Sequence, residues 1–142
     1  MDFFSALDIS ASGLSAERER VNVATSNLAN ADTTRGPNGQ PYRRLDPVLE
    51  AAPFATELGN APGMAGPAGV RIAGVVADTS PGKRVYSPGH PDADAQGFVT
   101  LPDVDPVHEM VNLVSASRNY DANASALETL KTMAQHALDI AK

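Results

Sequence analysis

His90, Asp92 and Asp94 occupy alternate positions in the stretch HPDADAQGFV, and His108 and Glu109 follow in HEM. On a straight strand alternate side chains share one face, so this spacing could gather imidazole and carboxylate groups around a hard cation or form an acid–base pair. The backbone signals oppose that. Pro88, Gly89 and Pro91 precede or interrupt the run and Gly97 closes it, so the chain turns where a ligand-bearing strand has to be straight. The competing reading is a structural turn, in which Asp92 and Asp94 cap backbone N–H groups and His90 packs or hydrogen-bonds locally.

Other patterns with chemical potential stop short of a motif. HEMVN follows the helical HExxH zinc pattern until its fifth position, where Asn112 stands in place of a second His. Ser80 and Lys83 have the S-x-x-K spacing, but Pro81 and Gly82 between them oppose the helix on which such a nucleophile and base meet. The glycines of GNAPGMAGPAG, Gly59 to Gly69, lack the Lys and Ser or Thr of a phosphate loop. His136 falls off the main apolar row and reads as exposed. The chain has no Cys, which excludes disulfides, a thiolate-held metal and a thiol nucleophile. These readings assign no catalytic residue, no metal ligand and no cofactor, and they predict a non-enzymatic chain.

The elements that would position these residues fall into three parts, read as 1–36, 37–104 and 105–142. In the first, Leu7, Leu14, Val21 and Leu28 recur at heptad spacing with Ala11, Ala24 and Ala31 between them, which predicts an amphipathic helix over 3–31. Glu17 to Arg20 form a mixed-charge solvated patch on it, and Gly36 and Pro37 end the segment. In the third, Asp105 and Pro106 read as an N-cap and first helical residue, and neither Gly nor Pro follows. The consequence is a helix over 106–140, about 50 Å long at 1.5 Å per residue. Its seam reads Met110, Leu113, Ser117, Tyr120, Ala124, Leu127, Lys131, Ala134, Leu138 and Ala141, and a second apolar row runs beside it through Val107, Val111, Val114, Leu130, Met133 and Ala137. A helix apolar over two partners' widths needs more than one neighbour.

The middle part holds most of the Gly and Pro. Residues 59–69 read as a flexible loop, and YRRL from Tyr42, VRIAGVVA from Val70, RVY and FVTL read as short strands of a small antiparallel β-hairpin unit, with a turn at Ser80 to Lys83. The fold class that follows is α+β, mainly α, with long terminal helices forming a coiled-coil-like hairpin. Aromatics are 5% and Trp is absent, a composition suited to helix-on-helix seams rather than a globular core. The net charge of −6 without a basic run argues against nucleic acid or an anionic membrane surface. No apolar run approaches a membrane span and no secretory signal is recognisable, so neither membrane insertion nor ordinary secretion is expected.

Asparagines mark both helices: Asn22, Asn27 and Asn30 in the first, Asn112, Asn119 and Asn123 in the second. Asn is a weak helix former, so they are either solvated or hydrogen-bond across close-packed helices and fix register. The predicted subunit-interface set is Leu7, Leu14, Val21, Leu28, Asn27, Asn30, Met110, Leu113, Asn119, Tyr120, Asn123, Leu127 and Leu138.

SNLANADTT, Ser26 to Thr34, resembles the N-terminal signature shared by flagellar rod and hook proteins. PYRR from Pro41, the stretch from Tyr86 through HPDADAQGFVTLPDVDPVHEMVNL, and SASRNYDANASALETLKTMAQHAL from Ser115 resemble the proximal-rod branch of that family. The Gly-Phe-Lys that follows the signature in hook-like relatives is absent, and Gly59 to Gly69 has no counterpart. The resemblance implies a structural subunit of the basal body, polymerised helically into the periplasm-spanning proximal rod that passes torque from rotor to hook and filament. It further implies self-association, contacts with proximal and distal rod subunits and a rotor-side adaptor, no small-molecule substrate, and type III export without a cleaved signal peptide. Two alternatives stay open on the residues alone: a free-standing coiled-coil adaptor of closed stoichiometry, and a metal-dependent hydrolase using His90, Asp92, Asp94 and His108.

Overall fold

The computed structural model describes residues 3–53 and 68–140. Most of the Gly59–Gly69 loop, and Ala141 at the end of the predicted seam, therefore lie outside the described residues. Helix α1 spans Phe3–Ala29, strands β1 and β2 span Leu45–Pro53 and Ala68–Ala77, β3 and β4 span Lys83–Tyr86 and Phe98–Leu101, and helix α2 spans Pro106–Ile140. The class is α+β, mainly α.

The helices pack as an antiparallel hairpin. Asn27 meets Glu109, Glu17 meets Asn119 and Gly13 abuts Asn123, while Phe3 and Leu7 share a groove with Leu127 and Leu138. The buried line consists of small residues, Ala16, Val23 and Ala24 on α1 and Ala116 on α2, which lets the backbones approach closely. A Cβ added to Gly13 would sit 2.9 Å from Asn123 Nδ2. Helix α2 starts as its sequence predicts: the Asp105 carboxylate accepts from Val107 N at 2.9 Å, and Pro106 takes the first helical position. Helix α1 ends two residues before the predicted 31, where Ala31 N donates to the Leu28 carbonyl and Thr33 N to the Asn30 carbonyl, the three-residue spacing that tightens a last turn.

Four strands form two separate pairs rather than one unit. β1 and β2 pair antiparallel from Leu45↔Ala77 to Pro53↔Ala68, with an irregularity after Val48 that leaves Ala73 as an extra residue on β2. Strand β1 starts at Leu45, later than the YRRL reading, because Tyr42 N donates to the Thr33 carbonyl and its chain is still part of the turn leaving α1. β3 and β4 pair from Lys83↔Leu101 to Tyr86↔Phe98. Ser80 to Lys83 links the two pairs instead of closing a hairpin, since β2 and β3 are not neighbours.

The β1–β2 ribbon lies along α1 and is pinned at each end by a side chain of that helix. At one end Val70 N donates to Ser12 Oγ at 3.1 Å, and Gly69 is required there because a Cβ would come within 2.7 Å of the same oxygen. At the other end Asn27 holds Leu45. Helix α1 is thus packed between α2 and the ribbon, and its most buried residues lie one step round from the Leu7/Leu14/Val21/Leu28 row, whose members are half-buried at the flanks.

Candidate functional site

The most buried polar group of residues forms a node where α1, α2 and β1 converge. Asn27 and Glu109 are each 1% exposed. Asn27 Nδ2 donates to the Leu45 carbonyl at 2.8 Å and to Glu109 Oε2 at 3.2 Å, and Asn27 Oδ1 accepts from Leu45 N at 2.9 Å and from the Tyr42 hydroxyl at 2.9 Å. The amide thereby offers Leu45 the donor and acceptor that a neighbouring strand would. Arg44 Nε donates to Glu109 Oε1 at 2.7 Å, and Arg44 Nη1 also reaches the Asp46 carboxylate. Burial disfavours the Arg44 charge, but the bond to Glu109, then the nearby charges of Asp46 and Glu109, outweigh it and raise its pKa above the ordinary value. Among the described residues, no buried side-chain nitrogen or oxygen lacks a hydrogen-bond partner, so the node is fully satisfied, the condition under which burying polar atoms specifies a structure.

A second cluster contains the residues whose spacing suggested chemistry. The chain from Ser87 to Gly97 is the loop joining β3 to β4, closed by Ser87 N donating to the Gly97 carbonyl at 2.8 Å. His90 Nδ1 accepts from Asp92 N at 3.1 Å. The Asp92 carboxylate accepts from Thr34 Oγ1 at 2.8 Å and pairs with Arg35 Nε at 3.1 Å, which ties the loop to the turn after α1. Asp94 Oδ1 accepts from Gln96 N and Phe98 N, both at 2.9 Å, and its other oxygen takes Arg84 Nη2 at 2.7 Å. The Phe98 N–H first, then that of Gln96 and the Arg84 guanidinium, hold the Asp94 carboxyl below the ordinary aspartate pKa. His90, Asp92 and Asp94 are therefore committed to different partners rather than converged on a common point. Among the described residues no three His, Asp or Glu side chains gather in a way that could hold a metal ion. Of the HEM pair, His108 is exposed and Glu109 is the buried half of the node.

Outside these clusters, α2 carries exposed apolar patches. Val107, Met110, Val111 and Val114 are 69%, 51%, 62% and 48% exposed, and they form one shallow groove with Ser115, Arg118 and Asn119. At the far end of the hairpin Phe3, Leu7, Leu127, Ala134 and Leu138 line another. Of the predicted interface positions, Met110, Tyr120 and Leu138 are exposed; Leu7, Leu14, Val21, Leu28, Asn30, Leu113, Asn123 and Leu127 are half-buried. Asn119 is exposed, with its amide 3.3 Å from Glu17 Oε1. Asn27 is consumed inside its own chain. On α2 the buried Glu109 and Ala116, and Asn123 against Gly13, lie one residue from Met110 and Ser117 of the predicted row, which are exposed, while Leu113, Ala124, Leu127 and Ala134 of that row are half-buried. Arg44, Tyr42 and Glu109 escaped the sequence reading as node residues. The PYRR and HEM stretches drew notice for other reasons, and charged or hydroxylic types carry no local sign of burial.

Residues 7–37 match the family model described as flagella basal body rod protein, and residues 95–140 match that described as flagellar basal body rod FlgEFG protein C-terminal. These spans cover α1 from Leu7 with the turn after it, and the HPDAD loop's end with β4 and α2. The flagellar basal-body rod protein FlgC of Escherichia coli O6:H1 is 48% identical over 133 residues, 94% of this chain and 93% of its own. The protein of the same name from Bacillus subtilis is 43% identical over 150 aligned positions and the whole of both chains, and that from Aquifex aeolicus is 41% identical over 92% of this chain and 91% of its own. With both helices matched by rod-family models and relatives this similar along nearly the full length, the chain belongs to the FlgC family of flagellar basal-body rod proteins and is a structural subunit of the rod.

Proposed function

We propose that this subunit polymerises helically through the outer faces of its two terminal helices, in the proximal part of the rod, and there transmits torque between rotor and hook. The observation that carries the reading is the exposed row Val107, Met110, Val111 and Val114, whose helix is already packed on α1 along its opposite face. An apolar row of this kind on a rod-family subunit calls for cover by other subunits. The division into a helical core, 1–36 with 105–142, and a middle region, 37–104, fits that role, with the ribbon stiffening α1. Partners are further copies, other proximal and distal rod subunits and a rotor-side adaptor. Delivery is by the flagellar type III route without a cleaved signal, and the role assigns the chain no catalysis, metal or cofactor.

Val111 separates assembly from folding better than Leu127, because Leu127 also lines the chain's own groove with Phe3 and Leu7. Val111→Asp leaves the carboxylate in water in the free chain but would bury it at every subunit contact in a polymer, at several kcal/mol per copy. The expected result is a chain made and exported at parental levels, with no rod in isolated basal bodies and no motility, while Lys83→Glu on exposed β3 swims normally. Normal swimming by Val111→Asp, or greater damage from Lys83→Glu, would refute the reading. A discrete dimer or trimer at all concentrations would favour a closed coiled-coil adaptor.

A further inference from the structure

The line along which α1 and α2 meet carries little apolar information about register. Its buried hydrophobic members are Ala16, Val23, Ala24 and Ala116. Leu7, Leu14, Val21 and Leu28 flank it at heptad spacing, and on α2 Leu113, Leu127 and Ala134 are heptad-related to one another, as are Ala116, Asn123 and Leu130. Sliding one helix by a heptad keeps the Leu7, Leu14, Val21 and Leu28 row intact and brings Tyr120 to the place of Leu113 or Leu127, so the flanking rows stay apolar, while the place of Ala116 is taken by Glu109 or Asn123. The polar contacts behave differently. Asn27 with Glu109, Glu17 with Asn119 and Gly13 with Asn123 all belong to a single register, and a heptad slip removes all of them together.

Those contacts are unequal. Glu17–Asn119 is a 3.3 Å contact at the surface, whereas the Glu109 carboxylate is 2% exposed and paired with Arg44 at 2.7 Å. A slip would bring Ala116 or Pro102 opposite Asn27 and part Glu109 from both Asn27 and Arg44, or would pull the start of α2 off β1. An unpaired buried carboxylate is among the largest single penalties available to a small fold. We propose that Glu109, held by Asn27 and Arg44, sets the register of α2 on α1 and thereby determines which apolar residues of α2 face outward. The inference concerns register within one chain and is independent of whether the outer rows assemble.

The chain has no Cys, so introduced thiols report register directly. Glu17→Cys with Asn119→Cys reads the observed register, and Glu17→Cys with Asn112→Cys or with Ala126→Cys reads the two heptad slips. Each pair is placed in the purified full chain, alone, with Glu109→Leu, and with Leu127→Ala as an apolar deletion that spares the node. After mild oxidation, the disulfide yields are compared between pairs and helix content is followed by circular dichroism. Glu109→Leu is expected to keep its helices while the ratio of observed-register to slipped product falls at least about tenfold, and Leu127→Ala to leave that ratio unchanged. Retention of the 17–119 product alone in Glu109→Leu would overturn the proposal. Equal slippage in Leu127→Ala would also overturn it, as would collapse of every pair together with the helical signal, since the node would then hold the hairpin together without choosing its register.

Discussion

Replacing Asn27 with Leu keeps the side chain's bulk and removes its hydrogen bonds. Leu45 then loses the acceptor for its N–H and the donor for its carbonyl, bonds of 2.9 and 2.8 Å, while Tyr42 retains a 3.3 Å contact with Ser26 Oγ and Glu109 retains Arg44. The loss therefore falls on two backbone groups at a half-buried residue and on Glu109 Oε2, which accepts from Asn27 at 3.2 Å. Each orphaned group costs about 1–3 kcal/mol, and partial access of Leu45 to water favours the lower half, giving about 3 kcal/mol in all. For a chain of this length each kcal/mol corresponds to roughly 3–4 °C, so thermal melting followed by circular dichroism should show a Tm lower by about 10 °C. Asn22→Leu is the matched control: the same residue type on the same helix, but exposed and holding only a 3.4 Å contact with Glu19, so it should stay within about 0.5 kcal/mol of the parent. A Tm for Asn27→Leu within about 3 °C of the parent, or an equal fall in Asn22→Leu, would mean that Asn27 does not anchor the strand.

Further outcomes are expected elsewhere in the chain. Beyond Ala124 no described residue of α2 is buried, and Met133, Leu138 and Ile140 are 61%, 68% and 87% exposed, so amides of 130–140 and of 3–10 in the unassembled chain should exchange faster than those of 16–27 and 109–124; uniform protection would contradict this. Gly97 has φ +83°, and a Cβ there would lie 2.9 Å from the Tyr86 ring, so Gly97→Ala should destabilise the β3–β4 hairpin by about 1–3 kcal/mol, measured by denaturant unfolding. Asp94 and Asp78, the latter bonded first by the Ser80 N–H and then by its hydroxyl, both have carboxyls held below the ordinary aspartate pKa. Their stabilisation is complete above the unfolded-state pKa and is lost as pH falls through the lower folded-state values, so β3–β4 signals should hold at pH 5 and broaden only below about pH 4. Carboxyl titration by NMR at or above the ordinary value would reverse that expectation.

The parts of this protein that sequence determined are those written in neighbouring residues. The Asp105–Pro106 start of α2, the absence of Gly and Pro after it, and the heptad spacing of Leu7 to Leu28 suffice for two long helices, because capping and periodicity act within a turn or two. The prolines and glycines around His90, Asp92 and Asp94 likewise read as a turn, and the chain there is the loop joining β3 to β4. Tertiary structure decided which side of each helix is inside. The inner line through Ala16, Ala24 and Ala116 depends on how closely two backbones approach with a β ribbon on the other flank, and small residues permit that approach without announcing it. It also decided the fate of Glu109, which is 65 residues from Arg44 and 82 from Asn27 along the chain. A carboxylate is read as solvated because burying it alone is so unfavourable. Only the fold that brings an arginine and an asparagine to the same point makes its burial possible.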